Sequence, residues 1–304
     1  MKRLRERARV CAQVRQFFDA RGFVEVETPL MVPSPGLDLH LDAFAVEGGE
    51  RGAPRWLITS PEYQMKRLLA DGWRHIYQIA HCFRRGELGA RHNPEFTMLE
   101  WYRADANVED VMRDTEQLVA EVTGEAVHLG ARSIEVRPPF ERLAVCEAFA
   151  RFAGWSADEV LDAATHDEER YFRALVEQVE PALEHLDCAF FLVDYPLSQA
   201  SLARRSPVDP RFAERFELYV AGVELCNGFG ELVDPLEQRD RLRDNQERRR
   251  LRGLPVYPID ERFLDARASV PPSSGNALGL DRLVALACGT TEIASVVAFT
   301  ADEV

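Results

Sequence analysis

Long apolar runs are what this chain most clearly lacks. No stretch approaches the roughly 20 residues needed to cross a bilayer, so no helical membrane span is expected. No apolar core of a secretory leader follows the basic start MKRLRERARV, which speaks against export. The six cysteines (Cys11, Cys82, Cys146, Cys188, Cys226, Cys288) are scattered, without a C-x-x-C pair or a zinc-like spacing. Reduced, buried, structural thiols of a cytoplasmic protein are the expectation. Repeats, low-complexity tracts and a linker parting two independent domains are also missing. Positive charge is scarce: 37 Lys and Arg face 51 Asp and Glu, a net charge of −14. That balance argues against a broad nucleic-acid surface.

What is present fits an ordinary globular chain. Its 304 residues are 46% hydrophobic and 29% charged, enough for one large core or one core with a substantial insertion. The charge is uneven. From Asp158 to Asp187 ten acids face Arg170 and Arg173, a local balance of −8. Residues 1–21 carry seven Lys and Arg against Glu6 and Asp19, and 239–252 carry seven Arg against three acids. Such runs are usually solvated helix faces, but basic helices at both ends can also border a site for an acidic partner.

Leu4, Ala8, Cys11, Val14 and Phe18 recur at helical spacing, which predicts a helix over 2–21 ended by Gly22. Phe23–Thr28 alternates like a strand, and Pro29, Pro33 and Pro35 break the next segment. A strand at Trp56–Thr59 leads to a helix from Ser60-Pro61-Glu62 through Leu69. Strands Ile76–Arg84 and Glu95–Arg103 flank a polar loop, and 107–122 reads as a helix with acids in its first turn. Residues of about 138–190 form a helix-rich acidic insertion; strands from Phe190 to 231, an arginine-rich helix and a last helix from Leu280 come after it. Strands running mostly as hairpins with segregated helices predict an α+β fold built on an antiparallel sheet.

The polar residues between the paired strands carry chemistry. Arg84 ends the first strand, where a permanently charged guanidinium can hold a phosphate and a carboxylate together. In the loop, Arg91 and His92 are placed to meet outer phosphates, and Asn93 has no packing reason to be there. Period two puts Phe96, Glu100 and Tyr102 on one face, where a phenyl ring can stack on a base. Phe96 and Tyr102 taken alone read as core aromatics. A two-residue turn at Ala221-Gly222 pairs Tyr219 with Glu224 and makes Glu217 and Glu224 diagonal neighbours. Two carboxylates that close favour a cation between them, and with phosphates nearby Mg²⁺ or Mn²⁺ suits. Taken alone, acids at this spacing more often face solvent. Glu231 has the wrong parity for that face, and Gly228 and Gly230 are candidate sites for a bulge that re-aims it. Gly275–Arg282 forms a glycine-rich turn into a helix, with Arg282 as a second phosphate cation.

The strings TSPEYQMKRLL (59–69), HNPEFTMLEWYR (92–103), SQASLA (198–203), VELCNGFGEL (223–232) and ALGLDRLV (277–284) span most of the chain. They resemble the catalytic core of class II aminoacyl-tRNA synthetases, the lysyl branch in particular. The likeness is stronger still to the stand-alone paralogues of that branch, which attach (R)-β-lysine to elongation factor P. The resemblance implies a single catalytic domain over 1–304 with no anticodon-binding domain, motif 1 within the first 30 residues, and a homodimer. It implies ATP and Mg²⁺ as co-substrate and cofactor, and elongation factor P and lysine or β-lysine as partners, with tRNA not expected. By position, the resemblance implies that Arg84 and Arg282 are catalytic. On the same resemblance Arg84, Glu87, Arg91, His92, Asn93, Phe96 and Arg282 would bind ATP, and Glu217 and Glu224 would ligate the metal. Glu62, Tyr102, Asn227 and Glu231 seat the amino acid, with Glu62 on the amino group near the reacting carboxylate and Tyr102 and Glu231 on the distal ammonium. Ala277 stands where lysyl-tRNA synthetases carry glycine and marks a remodelled pocket. Arg85-Gly86 stand where the family usually shows Asn-Glu, which leaves Glu87 as the loop's acid. The other functions compatible with this pattern are a minimal tRNA aminoacylase, a lysine-binding regulatory paralogue without activity, and an enzyme that amidates an adenylate with ammonia.

Overall fold

The computed structural model describes residues 2–47 and 53–304. Helix α1 (Lys2–Asp19) buries Val10, Val14, Phe17 and Phe18, each such burial contributing about 1.5–3 kcal/mol. Gly22, with φ of 73°, then lets the Phe23 N–H reach back to the Phe18 carbonyl at 3.1 Å and closes the helix. Strand β1 is only Val24–Glu25. Val26 still donates to the Tyr77 carbonyl (2.8 Å), after which the proline-rich segment leaves the sheet. Short strands β2 (Met31–Val32), β3 (Ala45–Val46) and β4 (Arg55–Leu57) make a small sheet before α2 (Glu62–Ala70). The hairpin β5 (His75–Phe83) and β6 (Glu95–Ala104) comes next, then α3 (Val108–Thr123), whose Asn107 and Asp110 form a reciprocal cap.

A ribbon of β7 (Ala126–Leu129) and β8 (Arg132–Glu135) precedes β9 (Glu141–Ala144) and the acidic insertion. The insertion comprises α4 (Val145–Ala153), α5 (Ala157–His166), α6 (Glu168–Ala174), a π-helical turn at Leu175–Val179 and α7 (Glu180–Leu183). Strands β10 (Phe190–Pro196), β11 (Phe212–Val220) and β12 (Val223–Gly230) return to the sheet. Helices α8 (Pro235–Leu251) and α9 (Glu261–Arg267), strand β13 (Ser273–Gly279) and helix α10 (Leu280–Ala287) complete the order.

The large sheet runs β1-β5-β6-β13-β12-β11-β10-β9. Its six central strands are antiparallel, but β1 pairs with β5 and β9 with β10 in parallel, so the sheet is mixed rather than wholly antiparallel. Both parallel partners arrive through long connections, which short-range hairpin signals do not report. Strand alternation splits the sheet into two faces. Leu99, Trp101, Phe216, Leu218 and Leu278 face α1, α3 and α10 in the main core. The opposite face is the floor of a cleft, covered at one end by the insertion, whose core joins Phe149, Val160 and Tyr171 to Phe190 and Leu192. All six cysteines are free; Cys82 and Cys226 are buried as expected, but the other four are only partly so. Among the described residues no helix is long and apolar enough to cross a membrane.

Candidate active site

The cleft holds about 1270 Å³ and is lined by Arg84, Glu87, Arg91, His92, Asn93 and Phe96 on one side and by Glu62, Tyr102, Glu217, Glu224, Asn227, Glu231, Ala277 and Arg282 elsewhere. Every site residue expected from the sequence therefore reaches one cavity. Their partners refine the expected arrangement.

At the nucleotide end, Arg84 lies over the Phe96 ring, 5.0 Å from its centre, and 3.7 Å from Glu87. Arg85 turns away to pair with Asp42 at 3.1 Å. Arg282 donates to the Glu224 carbonyl at 2.6 Å and lies 2.8 Å from His92 Nε2. Withdrawal from water and the Arg282 charge hold His92 below the ordinary histidine range. Asn93 is internally satisfied: Nδ2 donates to the Glu95 carbonyl, and Oδ1 accepts from the Ala301 N–H. Arg91 departs furthest from expectation. It is held by Glu184 at 3.2 Å and by the Gly222 carbonyl at 2.8 Å, both across the cleft wall, so its ion pair here is with the insertion.

The β11–β12 hairpin builds the acidic floor. Ala221 and Gly222 both have positive φ (56° and 71°), the turn that matches strand twist, and Tyr219 faces Glu224 as expected. The bulge lies at Leu225, not at Gly228 or Gly230: Leu218 pairs with Cys226, so Leu225 has no partner. That extra residue restores parity, and Asn227, Phe229 and Glu231 share the cleft face with Glu224. Glu217 is fixed by Arg215 on Oε1 (2.6 Å) and by Tyr195 (2.5 Å) and Tyr219 (2.9 Å) on Oε2. Burial and the Glu217 charge push Glu224 up to about 7. Among the described residues no group of three or more His, Cys, Asp or Glu side chains makes a metal cage. The fit to Mg²⁺ is thus limited to Glu224 and Glu217, whose Oε1 keeps a free lone pair, plus phosphate oxygens.

The amino-acid end contains residues that sequence reading left without a role. Glu100 lies fully buried on the face shared with Tyr102 and accepts from Ser60 (2.5 Å) and the Tyr102 hydroxyl (2.8 Å). Burial and the neighbouring Glu62 push Glu100 up to about 8. Lys66, fully buried on α2, bridges Glu62 and Glu231, the latter at 2.6 Å. Arg267, also fully buried, lies 3.4 Å from Glu231. The two carboxylates expected to await ammonium groups are therefore already joined by one cation. Glu231 Oε1 is buried and has no donor. The i,i+4 spacing of Glu62 and Lys66 was a usable signal; the contact with Glu231, far along the chain, was not.

Comparison with known proteins gives the family. The sequence profile of tRNA synthetases class II (D, K and N) matches residues 1–303. Proteins named elongation factor P–(R)-β-lysine ligase from Enterobacter sp. (strain 638), Salmonella dublin and Salmonella paratyphi B are each 41% identical to it, over 98% of this chain and 95% of theirs. The chain belongs to the class II tRNA synthetase family of the D, K and N type.

Proposed function

We propose that this chain is an ATP-dependent ligase that activates a lysine-type amino acid, (R)-β-lysine by preference, and transfers it to a lysine side chain of elongation factor P. One observation carries the amino-acid assignment: Glu231 Oε1 is an acceptor withdrawn from water without a donor, on a side chain lining the cleft. Such an atom is costly unless a ligand supplies the hydrogen bond. Glu62 lines the same cleft and, backed by the buried Glu100, offers a second acidic seat, so the end of the cleft away from Arg282 suits a molecule with two ammonium groups. The identity to the named ligases supports the acceptor.

In this reading Arg84 holds the substrate carboxylate against the α-phosphate. A carboxylate oxygen attacks the α-phosphorus, the bond to the β-phosphate breaks, and pyrophosphate leaves. Arg282 with His92 receives the outer phosphates, Phe96 stacks on adenine once Arg84 turns to the phosphate, and Arg91 exchanges Glu184 for phosphate oxygens. Mg²⁺ held by Glu224 and Glu217 supplies neutralising charge to the phosphates when bound. In the second step an acceptor amine attacks the acyl carbon, loses a proton, and AMP departs with the former anhydride oxygen. Asn227, which accepts from Arg215 Nε at 3.2 Å, helps seat the amino acid, and Ala277 narrows the pocket beside it. A methyl there shifts preference by about 1–3 kcal/mol. The single-domain reading needs no anticodon module. Exposed Val24, Leu30 and Met31 support pairing of two copies across the motif-1-like segment.

The deciding experiment incubates the protein with Mg-ATP, α- or β-lysine, and either elongation factor P or total tRNA. The expected result is a β-lysine mass increment on the factor and unlabelled tRNA. Charged tRNA with an unmodified factor would replace this reading by a minimal tRNA aminoacylase; adenylate formation without either product would remove the acceptor assignment.

A further inference from the structure

Only two lysines occur in the whole chain, Lys2 and Lys66, against 35 arginines. Lys66 is therefore a specific choice at a fully buried position. It does not line the cleft itself. It stands behind two side chains that do, with Nζ bonded to Glu62 Oε1 and 2.6 Å from Glu231 Oε2. The Phe229 ring closes over it, 4.7 Å from Nζ, and Tyr102 lies beyond at 5.7 Å. Arg267 backs Glu231 at 3.4 Å on the oxygen that Lys66 also uses.

This arrangement spends one oxygen of each carboxylate and leaves the other free. Glu231 keeps Oε1, which has no donor, and Glu62 keeps Oε2. Because a single ammonium touches both acids, the distance between the two remaining oxygens is fixed by Lys66 rather than by the substrate. Without a cation between them, two buried carboxylates repel, and one takes up a proton or swings away. The α- and β-isomers of lysine differ by one methylene in the spacing of their ammonium groups. A fixed spacing between two ammonium seats distinguishes them, whereas a flexible pair does not.

We propose that Lys66 is the positioning residue that sets the spacing of the two ammonium seats, and so selects between diamino-acid isomers while never touching the substrate. This rests on the proposed amino-acid activation and deepens it. An arginine would not serve: its larger planar fork needs space that Phe229 and Tyr102 occupy.

The test is Lys66→Met, close in volume and uncharged, read by ATP–pyrophosphate exchange with each isomer. The expected result is a KM for the preferred isomer raised roughly 10- to 100-fold, a ratio of kcat/KM between isomers that collapses toward one, and a KM for ATP unchanged within about twofold. A folded variant that keeps the wild-type isomer ratio overturns the proposal. If Lys66→Met does not fold, the wild-type protein decides. With lysine labelled in ¹³C and ¹⁵N, only two side-chain ammonium signals exist, and the slowly exchanging one is Lys66. That signal must shift on saturation with a diamino acid, and differently for the two isomers; a signal that stays put, or moves identically, overturns the proposal. Exchange with neither isomer by the wild-type protein would instead remove the underlying function, which keeps the two failures apart.

Discussion

Arg84 enters the cleft with little to hold it. Its one ion pair among the described residues is Glu87, 3.7 Å away, and its Nε reaches the Thr59 carbonyl at 3.4 Å. A guanidinium so weakly tethered is available to phosphate and carboxylate oxygens. Arg84→Ala and Glu224→Ala are each expected to lower ATP–pyrophosphate exchange by at least about 100-fold, the first by removing a cation aimed at the reacting phosphates, the second by removing a proposed ligand of the Mg²⁺ that would neutralise them. Retained exchange in either variant contradicts that role. Glu100 gives a pH dependence. Burial and the Glu62 charge push its carboxyl up to about 8, and an ammonium seated on Glu62, which does line the cleft, weakens the second of these causes. Binding below about pH 8 should therefore release protons, so the dissociation constant for the amino acid falls as pH rises toward about 8 and then levels. Calorimetry in two buffers of different ionisation enthalpy counts that proton; Glu100→Gln should abolish both the release and the slope. Neither Glu100's state nor the Lys66 bridge was legible in the sequence, because both depend on contacts between α2, β6 and the end of β12.

At the scale of the element, the β11–β12 hairpin shows what local sequence does and does not specify. The turn was legible from Ala221-Gly222, and with it the pairing of Tyr219 to Glu224. The bulge was expected at a glycine but occurs at Leu225, whose side chain packs in the main core beneath the sheet. Core packing, not backbone freedom, decided where the extra residue went. The turn itself is testable. A methyl on Gly222 would occupy left-handed space and meet Glu184, whose Cα lies 3.0 Å from the added carbon. Gly222→Ala should cost about 2 kcal/mol, seen as an earlier urea midpoint, and should loosen Arg91, which uses the same carbonyl and the same glutamate. The hairpin β5–β6 was legible throughout, since both strands and their loop are contiguous. Strand β1 was expected to be longer than it is, because alternation cannot report that the proline-rich segment leaves the sheet after Val26.

For the whole molecule, the acidic insertion and the arginine-rich helix proved to be partners rather than separate solvated faces. Arg248 and Arg252 of the α8 end both reach Glu168 at the start of α6, at 2.5 Å and 2.7 Å, and Gln199 joins them. Although burial opposes it, these bonds hold Glu168 down at about 2. A folded value below the unfolded one contributes stability above about pH 4.5 and loses it as pH falls toward 2. Glu168→Gln should therefore destabilise the protein by about 2 kcal/mol at pH 7, discounted for partial solvent access. The gap to wild type should narrow in urea titrations taken from pH 5 toward pH 3, and a gap independent of pH would refute the clamp. Composition had shown these charge blocks, but their complementarity is visible only after folding.

The scarcity of lysine has a consequence for what the enzyme does to itself. An acyl-adenylate is a mixed anhydride, and any free amine nearby is a nucleophile for it. Thirty-five of the 37 basic side chains are guanidinium groups, which stay protonated and do not attack acyl carbon. Of the two side-chain amines, Lys66 is sealed behind its carboxylates and Lys2 sits at the outer end of α1. The chain thus keeps its ion pairs while offering its own reactive intermediate few side-chain amines to acylate, and the acceptor amine arrives with little competition.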